Sequence, residues 1–381
     1  AVPLNIQFIG WQPRRQAWNV LLLQLVMLVP FFCAGGVVGV ALMDKPDRIG
    51  GHYAANLFGS GAGALAGVLL MYIFDTWGVL LLMAALALAA GLLLLPWPSR
   101  RSFIAAAAGV AGVLLLGLLA PRETNMSDFK PLPQFKAMPQ VETLARREGP
   151  LGRIDVLTGP YIHVAPGLSL QYTGSVPDHA VLLVDGDGTT PVYAWAREED
   201  LRFLDHTTSA AAYRMVDRAE VLVIGAGGGS HIAQALYHKS PRITALEMNP
   251  QIIELMTGPL ADQGGHVYAA PGVTVVAREA RGFLARRKER FDLIQLPALE
   301  AFGASGAGLY ASQESYLYTV DAFALMLDRL ADGGVLSVTR WMRTPPRDGI
   351  RAFNILAEAL RAHDLQPAPR LIMIRSWVTT T

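Results

Sequence analysis

The first third of the chain is dominated by long hydrophobic runs that are separated by short polar links. Four runs contain no Asp, Glu, Lys or Arg, and they cover residues 17–43, 52–74, 78–95 and 103–120. Each run is close to the ~20 residues with which a helix crosses the hydrocarbon core of a bilayer. The pattern predicts an α-helical transmembrane bundle of four spans, in a domain that covers residues 1–121.

Small residues recur at a helical spacing in the second run, where Gly59, Gly63 and Gly67 are each four residues apart. Helices in a membrane approach one another closely where glycine removes the side chain. The stripe therefore predicts packing against another helix of the same bundle, with an interface to a partner membrane protein as the alternative.

Beyond residue 121 the pattern becomes that of a water-soluble region. Residues 122–150 are rich in proline and charge and have weak periodicity, which predicts a juxtamembrane linker. Short alternating runs broken by Gly and Pro follow, and they predict a small antiparallel β-sheet in a domain over residues 151–215. The predicted strands are 153–157, 161–164, 180–184 and 191–195.

From residue 216 strands and helices alternate, which is the pattern of a parallel α/β domain. A strand at 220–224 leads into a glycine-rich turn and a helix, and further strands cover 243–246 and 273–276. We predict a Rossmann-like, methyltransferase-type doubly wound sheet over residues 216–381, with an apolar strand at 371–377. Such a sheet normally ends with one more antiparallel strand, so we expect the C-terminal strand to be missing from this chain.

Charge is distributed unevenly along the chain. Of the 63 Asp, Glu, Lys and Arg residues only nine lie in residues 1–121, and the mean hydropathy is +0.33, so a membrane part is separated from a soluble part. The formal net charge of +1 provides no field that would attract nucleic acid, and we exclude that class of function. The single cysteine, Cys33, excludes an internal disulfide, and the histidines lack the spacing of metal ligands, so we expect no metal site.

The glycine-rich turn after the first strand of the parallel domain indicates a nucleoside ligand. Gly225, Gly227 and Gly229 have the spacing G-x-G-x-G, and glycines are required where backbone amides approach a ligand closely. Glu247 ends the second strand, where a carboxylate can accept both ribose hydroxyls, and Glu279 follows the third, where an adenine amino group is often met. The spacing is more typical of S-adenosylmethionine-type folds than of the dinucleotide fingerprint G-x-G-x-x-G. A nicotinamide enzyme is the alternative.

Four motifs resemble those of the spermidine synthase (aminopropyltransferase) family in order and spacing: VLLVDG at 181–186, VLVIGAGGG at 221–229, EMNP at 247–250 and FDLI at 291–294. The additional membrane helices make the chain more similar to bacterial membrane-fused spermidine synthase-like proteins. The resemblance implies an adenosyl site that binds S-adenosylmethionine or its decarboxylated form as a substrate, and transfer of an aminopropyl group to a small amine. The residues that it implies for the adenosyl group are Gly225, Gly227, Gly229, Glu247 and Glu279.

The sequence departs from the family pattern at three places. The family has an Asp where this chain has Gly228, and a substrate-facing Tyr where this chain has Phe323. The family also has an Asp after the fourth strand that accepts the proton of the attacking amine, but here the run at 295–300 reads QLPALE. A protonated amine is not a nucleophile, so aminopropyl transfer needs another base. Glu300 and Tyr318 are the weak candidates for a catalytic role.

Three functions follow as alternatives. The first is aminopropyl transfer, the second is S-adenosylmethionine-dependent methylation of an apolar substrate, and the third is a catalytically silent accessory subunit of a membrane protein complex. Because adenosyl sulfonium compounds are made in the cytoplasm, we expect a multi-pass protein of the bacterial inner membrane with its soluble part in the cytoplasm. The expected partners are the lipid bilayer and either a membrane protein or a second copy of the chain.

Overall fold

The structure is a computed structural model, which describes residues 13–44, 46–94, 99–120, 126, 128, 130–298, 316–342 and 347–381. The chain separates into two compact units, which are residues 1–127 with 148–152 and residues 128–147 with 153–381. The apolar runs fall in the first unit and the predicted parallel sheet falls in the second.

Helices form at all four apolar runs: α1 (Pro13–Asp44), α2 (Ile49–Leu70), α3 (Thr76–Leu94) and α4 (Arg100–Leu119). Within the described residues, α1, α2 and α4 contain windows that are long and apolar enough to cross a bilayer. None of these windows is buried inside the protein, so their side chains can face lipid. The described apolar part of α3, Thr76–Leu92, is shorter, and a fourth span stays a prediction.

Neighbouring helices of this unit are joined by hydrogen bonds to backbone carbonyls. Nδ1 of His52 in α2 bonds the carbonyl of Ala41 in α1 at 2.7 Å, and Nε1 of Trp77 in α3 donates to the carbonyl of Gly117 in α4 at 2.9 Å. A Cβ placed on Gly117 would lie 2.5 Å from Cδ2 of Leu81. Glycine at this position therefore permits the close approach of α3 and α4.

The glycine stripe on α2 does not pack as the spacing predicted. No atom lies within 4 Å of a Cβ built on Gly59, Gly63 or Gly67, so within the described part of the chain no other helix fills this face. A spacing pattern determines which residues share a face, but it does not determine whether a neighbour reaches that face. A partner helix from another protein stays a prediction.

The small sheet is four-stranded, with the order β1 (Glu142–Gly149), β2 (Gly152–Thr158), β3 (His179–Val184) and β4 (Gly188–Tyr193). β3 pairs antiparallel with both β2 and β4. Asp185 and Gly186 form the turn between β3 and β4 with φ angles of 52° and 70°, and two successive positive φ angles are typical of a type I′ hairpin turn. This turn sets the register of β4.

Two predictions for this region differ from the structure. The predicted linker at 122–150 contains a helix, α5 (Pro131–Lys136), and strand β1. The predicted strand at 161–164 is a loop in which Ile162 is buried. The alternating polarity here reflects a loop in which one apolar residue packs into the core. The preceding Gly159 and Pro160 disfavour a strand.

A five-stranded sheet is made by β5 (Val221–Ile224), β6 (Ile243–Glu247), β7 (Val273–Ala277), β8 (Phe291–Leu296) and β9 (Leu330–Val338). All neighbours pair in parallel, in the order β7-β6-β5-β8-β9. After β5 the chain adds β6 and β7 on one side of it, and then returns to add β8 and β9 on its other side. The order of strands therefore reverses between β5 and β8. Ligands of open α/β sheets bind outside the carboxyl ends of the strands at such a switch point.

Helices cover both faces of this sheet because alternate strand residues point to opposite sides. Val221 and Val223 of β5 share one core with residues of α6 (Ser230–Tyr237) and α7 (Pro250–Thr257). Leu222 and Ile224 of the same strand share a second core with residues of the helices on the other face. These helices are α8 (Ala280–Arg286), α9 (Val320–Leu327) and α10 (Arg347–Ala362). The predicted α/β architecture with a methyltransferase-like sheet is confirmed.

The prediction of an apolar strand at 371–377 is wrong. β11 (Thr379–Thr380) follows that segment and pairs antiparallel with β10 (Arg340–Trp341). The side chains of Ile372 and Trp377 are 65% and 72% exposed, so the apolar run is not the buried strand that its composition indicated. The missing C-terminal strand stays a prediction.

Replacing Gly117 by Leu should separate α3 from α4 and lower the stability of the protein. The added side chain must displace Leu81, and overpacking of this kind costs about 1–3 kcal/mol. The melting temperature of the intact chain in detergent measures the effect. Gly112→Leu is the matched control on the same helix, because no atom lies within 4 Å of its Cβ position. Equal melting temperatures for the two variants would contradict this packing.

Candidate adenosyl site

The turn between β5 and α6 is built from glycines in left-handed backbone conformations. The φ angles of Gly225, Gly227 and Gly229 are 88°, 50° and 83°, a region that other residues adopt only with strain. Space also excludes a side chain, because a Cβ on Gly229 would lie 2.6 Å from Cγ1 of Val267. The three predicted glycines therefore form a tight turn at the carboxyl end of β5, at the switch point of the sheet.

Glu247 ends β6 and accepts a hydrogen bond from this turn. Its Oε2 accepts a hydrogen bond of 3.0 Å from the Gly227 amide, and its Oε1 accepts one of 2.9 Å from the Asn249 amide. The residue is only 7% exposed. Burial raises the pKa of the Glu247 carboxyl, and the amide hydrogen bonds oppose the rise. The structure thus brings together the predicted ribose acid and the predicted glycine turn.

Tyr268 stabilises the same turn. Its hydroxyl donates a 2.7 Å hydrogen bond to the carbonyl of Gly227, and its side chain is buried. Burial and the neighbouring charge of Glu247 both raise the pKa of Tyr268, so the phenol is a hydrogen-bond donor at neutral pH. No local motif marks Tyr268 in the sequence, because it lies 41 residues from Gly227.

Glu279 follows β7, the strand next to β6, and is exposed. Its two carboxylate oxygens each accept a hydrogen bond of 2.7 Å, one from the Arg281 amide and one from the Gly282 amide. Glu279 therefore caps α8 and is held in one orientation. Met248, directly after Glu247, is 55% exposed, and its thioether offers an apolar surface to an aromatic base. A single Met forms no pattern, so the sequence alone does not mark Met248 as a site residue.

Strand β4 covers one part of the glycine turn. The Gly228 amide donates a 3.1 Å hydrogen bond to Oγ1 of Thr190. A Cβ on Gly228 would clash with the carbonyl oxygen of Pro191 and lie 3.1 Å from Cγ2 of Val192. The strand thus occupies the space that the Asp of the family pattern would need.

The carboxyl end of β8 carries a neutral amide. Gln295 is 1% exposed; its Oε1 accepts a 3.0 Å hydrogen bond from the Tyr213 hydroxyl, and its Nε2 donates to Oε1 of Gln234 at 3.2 Å. Both ends of the amide are therefore engaged, and Gln295 joins β8 to α6. Glu300 lies outside the described residues, and its role as a base stays a prediction.

Tyr318 lies just before α9 and is half-buried. The guanidinium carbon of Arg340 is 4.0 Å from the centre of its ring, which is a cation–π contact. The ring of Phe323 meets it edge-on, with 6.1 Å between the centroids. Phe323 is fully buried, so it belongs to the core and does not face a substrate. A catalytic role of Tyr318 stays a prediction.

Among the described residues no three His, Cys, Asp or Glu side chains converge to hold a metal ion. His231, the second residue of α6, follows the glycine turn, and burial lowers the pKa of its imidazole to about 4. The imidazole is therefore neutral at pH 7. A neutral ring avoids a positive charge next to the positive end of the helix dipole.

Gly228→Ala should destabilise the protein, because the new Cβ must push the backbone of Pro191 out of its place in β4. Overpacking against backbone costs about 1–3 kcal/mol, and the free energy of unfolding in denaturant measures it. Gly188→Ala is the matched control. Gly188 begins β4, the strand that contains Pro191, and its Cβ would make only an ordinary contact of 3.8 Å with Val184. A Gly228→Ala variant as stable as this control would show that β4 does not cover the turn.

Comparison with known proteins finds distant similarities, of 14–22% sequence identity, to an aminopropyltransferase, to spermidine synthases and to a ribosomal protein L11 methylase. No protein-family model matches the chain. A polyamine aminopropyltransferase from Korarchaeum cryptofilum is 22% identical over 117 residues, which is 31% of this chain and 34% of the relative. The match thus spans about a third of the length of that curated relative.

Two solved structures of spermidine synthases are also similar. One is from Thermotoga maritima and the other is in complex with the transition-state analogue AdoDATO; each shares 17% identity, with TM-scores of 0.40 and 0.39. The matches cover 57% of this chain and 64% and 63% of those chains, less than two thirds of their length. By its sequence similarity to the aminopropyltransferase, this chain is spermidine synthase-like.

Proposed function

We propose that this chain is a membrane-anchored, spermidine synthase-like protein that binds S-adenosylmethionine or its decarboxylated form at the carboxyl end of its parallel sheet. The 3.0 Å hydrogen bond between the Gly227 amide and the Glu247 carboxylate carries the proposal, because it holds an acid against a turn of left-handed glycines. A carboxylate in that position accepts the hydroxyls of a ribose. The sequence similarity to a polyamine aminopropyltransferase supports the same class of ligand.

In the proposed complex, residues of this chain bind and orient the nucleoside. Glu247 retains acceptor capacity, because its two carboxylate oxygens offer about four lone-pair sites and the backbone amides of Gly227, Asn249 and Met248 use at most three of them. Glu279 accepts from the adenine amino group, and Met248 packs on the adenine ring. In aminopropyl transfer the amine nitrogen attacks the aminopropyl carbon that is bonded to the sulfonium sulfur. The C–N bond forms as this C–S bond breaks, and the sulfur leaves as a neutral thioether. The amine proton passes to a base, for which Glu300 is the proposed residue.

A catalytically silent accessory subunit is the second candidate, and the end of β8 favours it. Gln295 is neutral, and its amide is engaged by Tyr213 and Gln234, so it cannot take a proton from an amine. The Gly228 amide is already bonded to Thr190. In this candidate the fold provides a binding surface for another membrane protein.

We further propose four spans, with α3 as the fourth, and a soluble part that faces the cytoplasm of a bacterial inner membrane. The apolar windows of α1, α2 and α4 support membrane association. The cytoplasmic side follows from the proposed ligand, because adenosyl sulfonium compounds are made there. The proposed partners are the bilayer, a small amine and either a membrane protein or a second copy of the chain.

Calorimetry on the detergent-purified chain tests the adenosyl site with S-adenosylmethionine and with its decarboxylated form. Glu247→Gln should weaken binding by roughly 10- to 100-fold, because it removes a charge-assisted hydrogen bond of about 1.5–3 kcal/mol to the ribose. Glu254→Gln is the matched control, since Glu254 is an exposed acid on the next helix, α7. Melting temperatures of both variants show whether each is folded.

The identity of the ligand decides between the candidate functions. Preference for the decarboxylated form supports aminopropyl transfer, whereas preference for S-adenosylmethionine supports methylation of an apolar substrate. If neither compound binds to the folded wild-type chain, the adenosyl proposal is wrong and the accessory role remains.

A protease-protection experiment tests the proposed orientation. Protease added to inside-out membrane vesicles should remove the soluble unit, and protease added to intact spheroplasts should leave it whole, because the unit faces the cytoplasm. An epitope tag after residue 381 and immunoblotting give the readout. Cleavage of the soluble unit in intact spheroplasts would contradict the cytoplasmic placement.

A further inference from the structure

The apolar segment that fails to form a buried strand instead presents a tryptophan at the tip of a β-hairpin, residues 374–381, here named the Trp377 hairpin. The amide of Ile374 donates to the carbonyl of Thr381 at 2.7 Å, and the Thr381 amide donates back to Ile374 at 2.8 Å. The Ser376 amide donates to the carbonyl of Thr379 at 2.9 Å. Trp377 and Val378 are therefore the two central residues of the turn.

The strand that follows the turn of the Trp377 hairpin contacts other residues of the second compact unit. Thr379 is fully buried, and its hydroxyl lies 3.0 Å from Oγ of Ser376 and 3.2 Å from Oγ1 of Thr208. The neighbouring Thr380 pairs with Arg340 of β10. The turn is thus fixed by buried contacts on the strand that follows it.

The tip and the segment before it expose four large apolar side chains within residues 372–378, here named the patch. Trp377 is 72% exposed, Ile372 65%, Met373 47% and Val378 37%. Single exposed apolar residues are normal on a protein surface, but a cluster of large ones on an ordered turn marks a surface that contacts a partner or a membrane. Tryptophan in particular is enriched at the boundary between lipid and water, where its ring meets apolar chains and its N–H meets polar groups.

The charges around the patch favour lipid headgroups. Arg370 precedes the patch and Arg375 lies within it; both are exposed, and residues 365–381 contain no Asp or Glu. Basic residues beside an exposed apolar surface bind anionic lipids of a membrane interface. The inference rests on the proposed membrane anchoring, which the apolar windows of α1, α2 and α4 in the same chain support. We propose that the Trp377 hairpin inserts into the interface of an anionic bilayer.

Fluorescence quenching in nanodiscs tests this proposal with the intact chain. A Cys33→Ser background has no cysteine, since Cys33 is the only one. Val378→Cys, which keeps Trp377 in place, is labelled with an environment-sensitive fluorophore, in discs whose lipids carry a nitroxide just below the headgroup. We expect quenching several-fold stronger than for the same label at Asp332→Cys. Asp332 is the matched control because its side chain is fully exposed and it lies near the beginning of β9, whereas β10 follows the other end of that strand.

The dependence of quenching on anionic lipid tests the role of the two arginines. Quenching at position 378 should be stronger in discs of phosphatidylcholine with phosphatidylglycerol than in phosphatidylcholine alone, and Arg370→Gln with Arg375→Gln should remove that difference. Equal quenching at 378 and 332 would overturn the proposal. Self-quenching between labels at 378 in detergent would also overturn it, because it would assign the patch to a second copy of the chain. Size-exclusion chromatography shows separately whether the chain enters the disc, and the test does not require adenosyl binding.

Discussion

The hydrogen bond from the Gly227 amide to the Glu247 carboxylate ties the first turn of the parallel sheet to the end of its second strand. It requires a backbone that glycine adopts without strain, since Gly227 and the glycines on either side of it, Gly225 and Gly229, all have positive φ. It also requires a buried carboxylate, whose desolvation is partly compensated by hydrogen bonds from backbone amides. The geometry of the candidate site at the switch point depends on this contact.

Distant parts of the chain converge on the same turn. Tyr268 bonds the Gly227 carbonyl, and Thr190 of the small sheet bonds the Gly228 amide. Gln234 on α6 connects to Gln295 on β8. The turn is therefore supported by both sheets, and a displacement of β4 would displace the glycines.

The two ends of the candidate site differ in chemistry. At β5 and β6 the structure has the features that suit a nucleoside: left-handed glycines, a buried acid and an exposed Met248. At β8 the described chain has a neutral, fully engaged Gln295. The proposed nucleoside binding and the proposed group transfer therefore depend on different parts of the chain: the first on the turn and Glu247, and the second on a base, for which Glu300 is the proposed residue.

Local spacing in the sequence determined the apolar helices, the strands of the parallel sheet, the glycine turn and Glu247, because each depends on residues near one another in the chain. The tertiary structure alone decided which distant residues meet. Tyr268 and Pro191 reach the turn from other elements, the stripe around Gly63 has no neighbour within the described chain, and the apolar run at 371–377 ends in an exposed Trp377. Composition indicates that a residue is apolar, but burial depends on whether another element covers it, and that is a property of the folded chain.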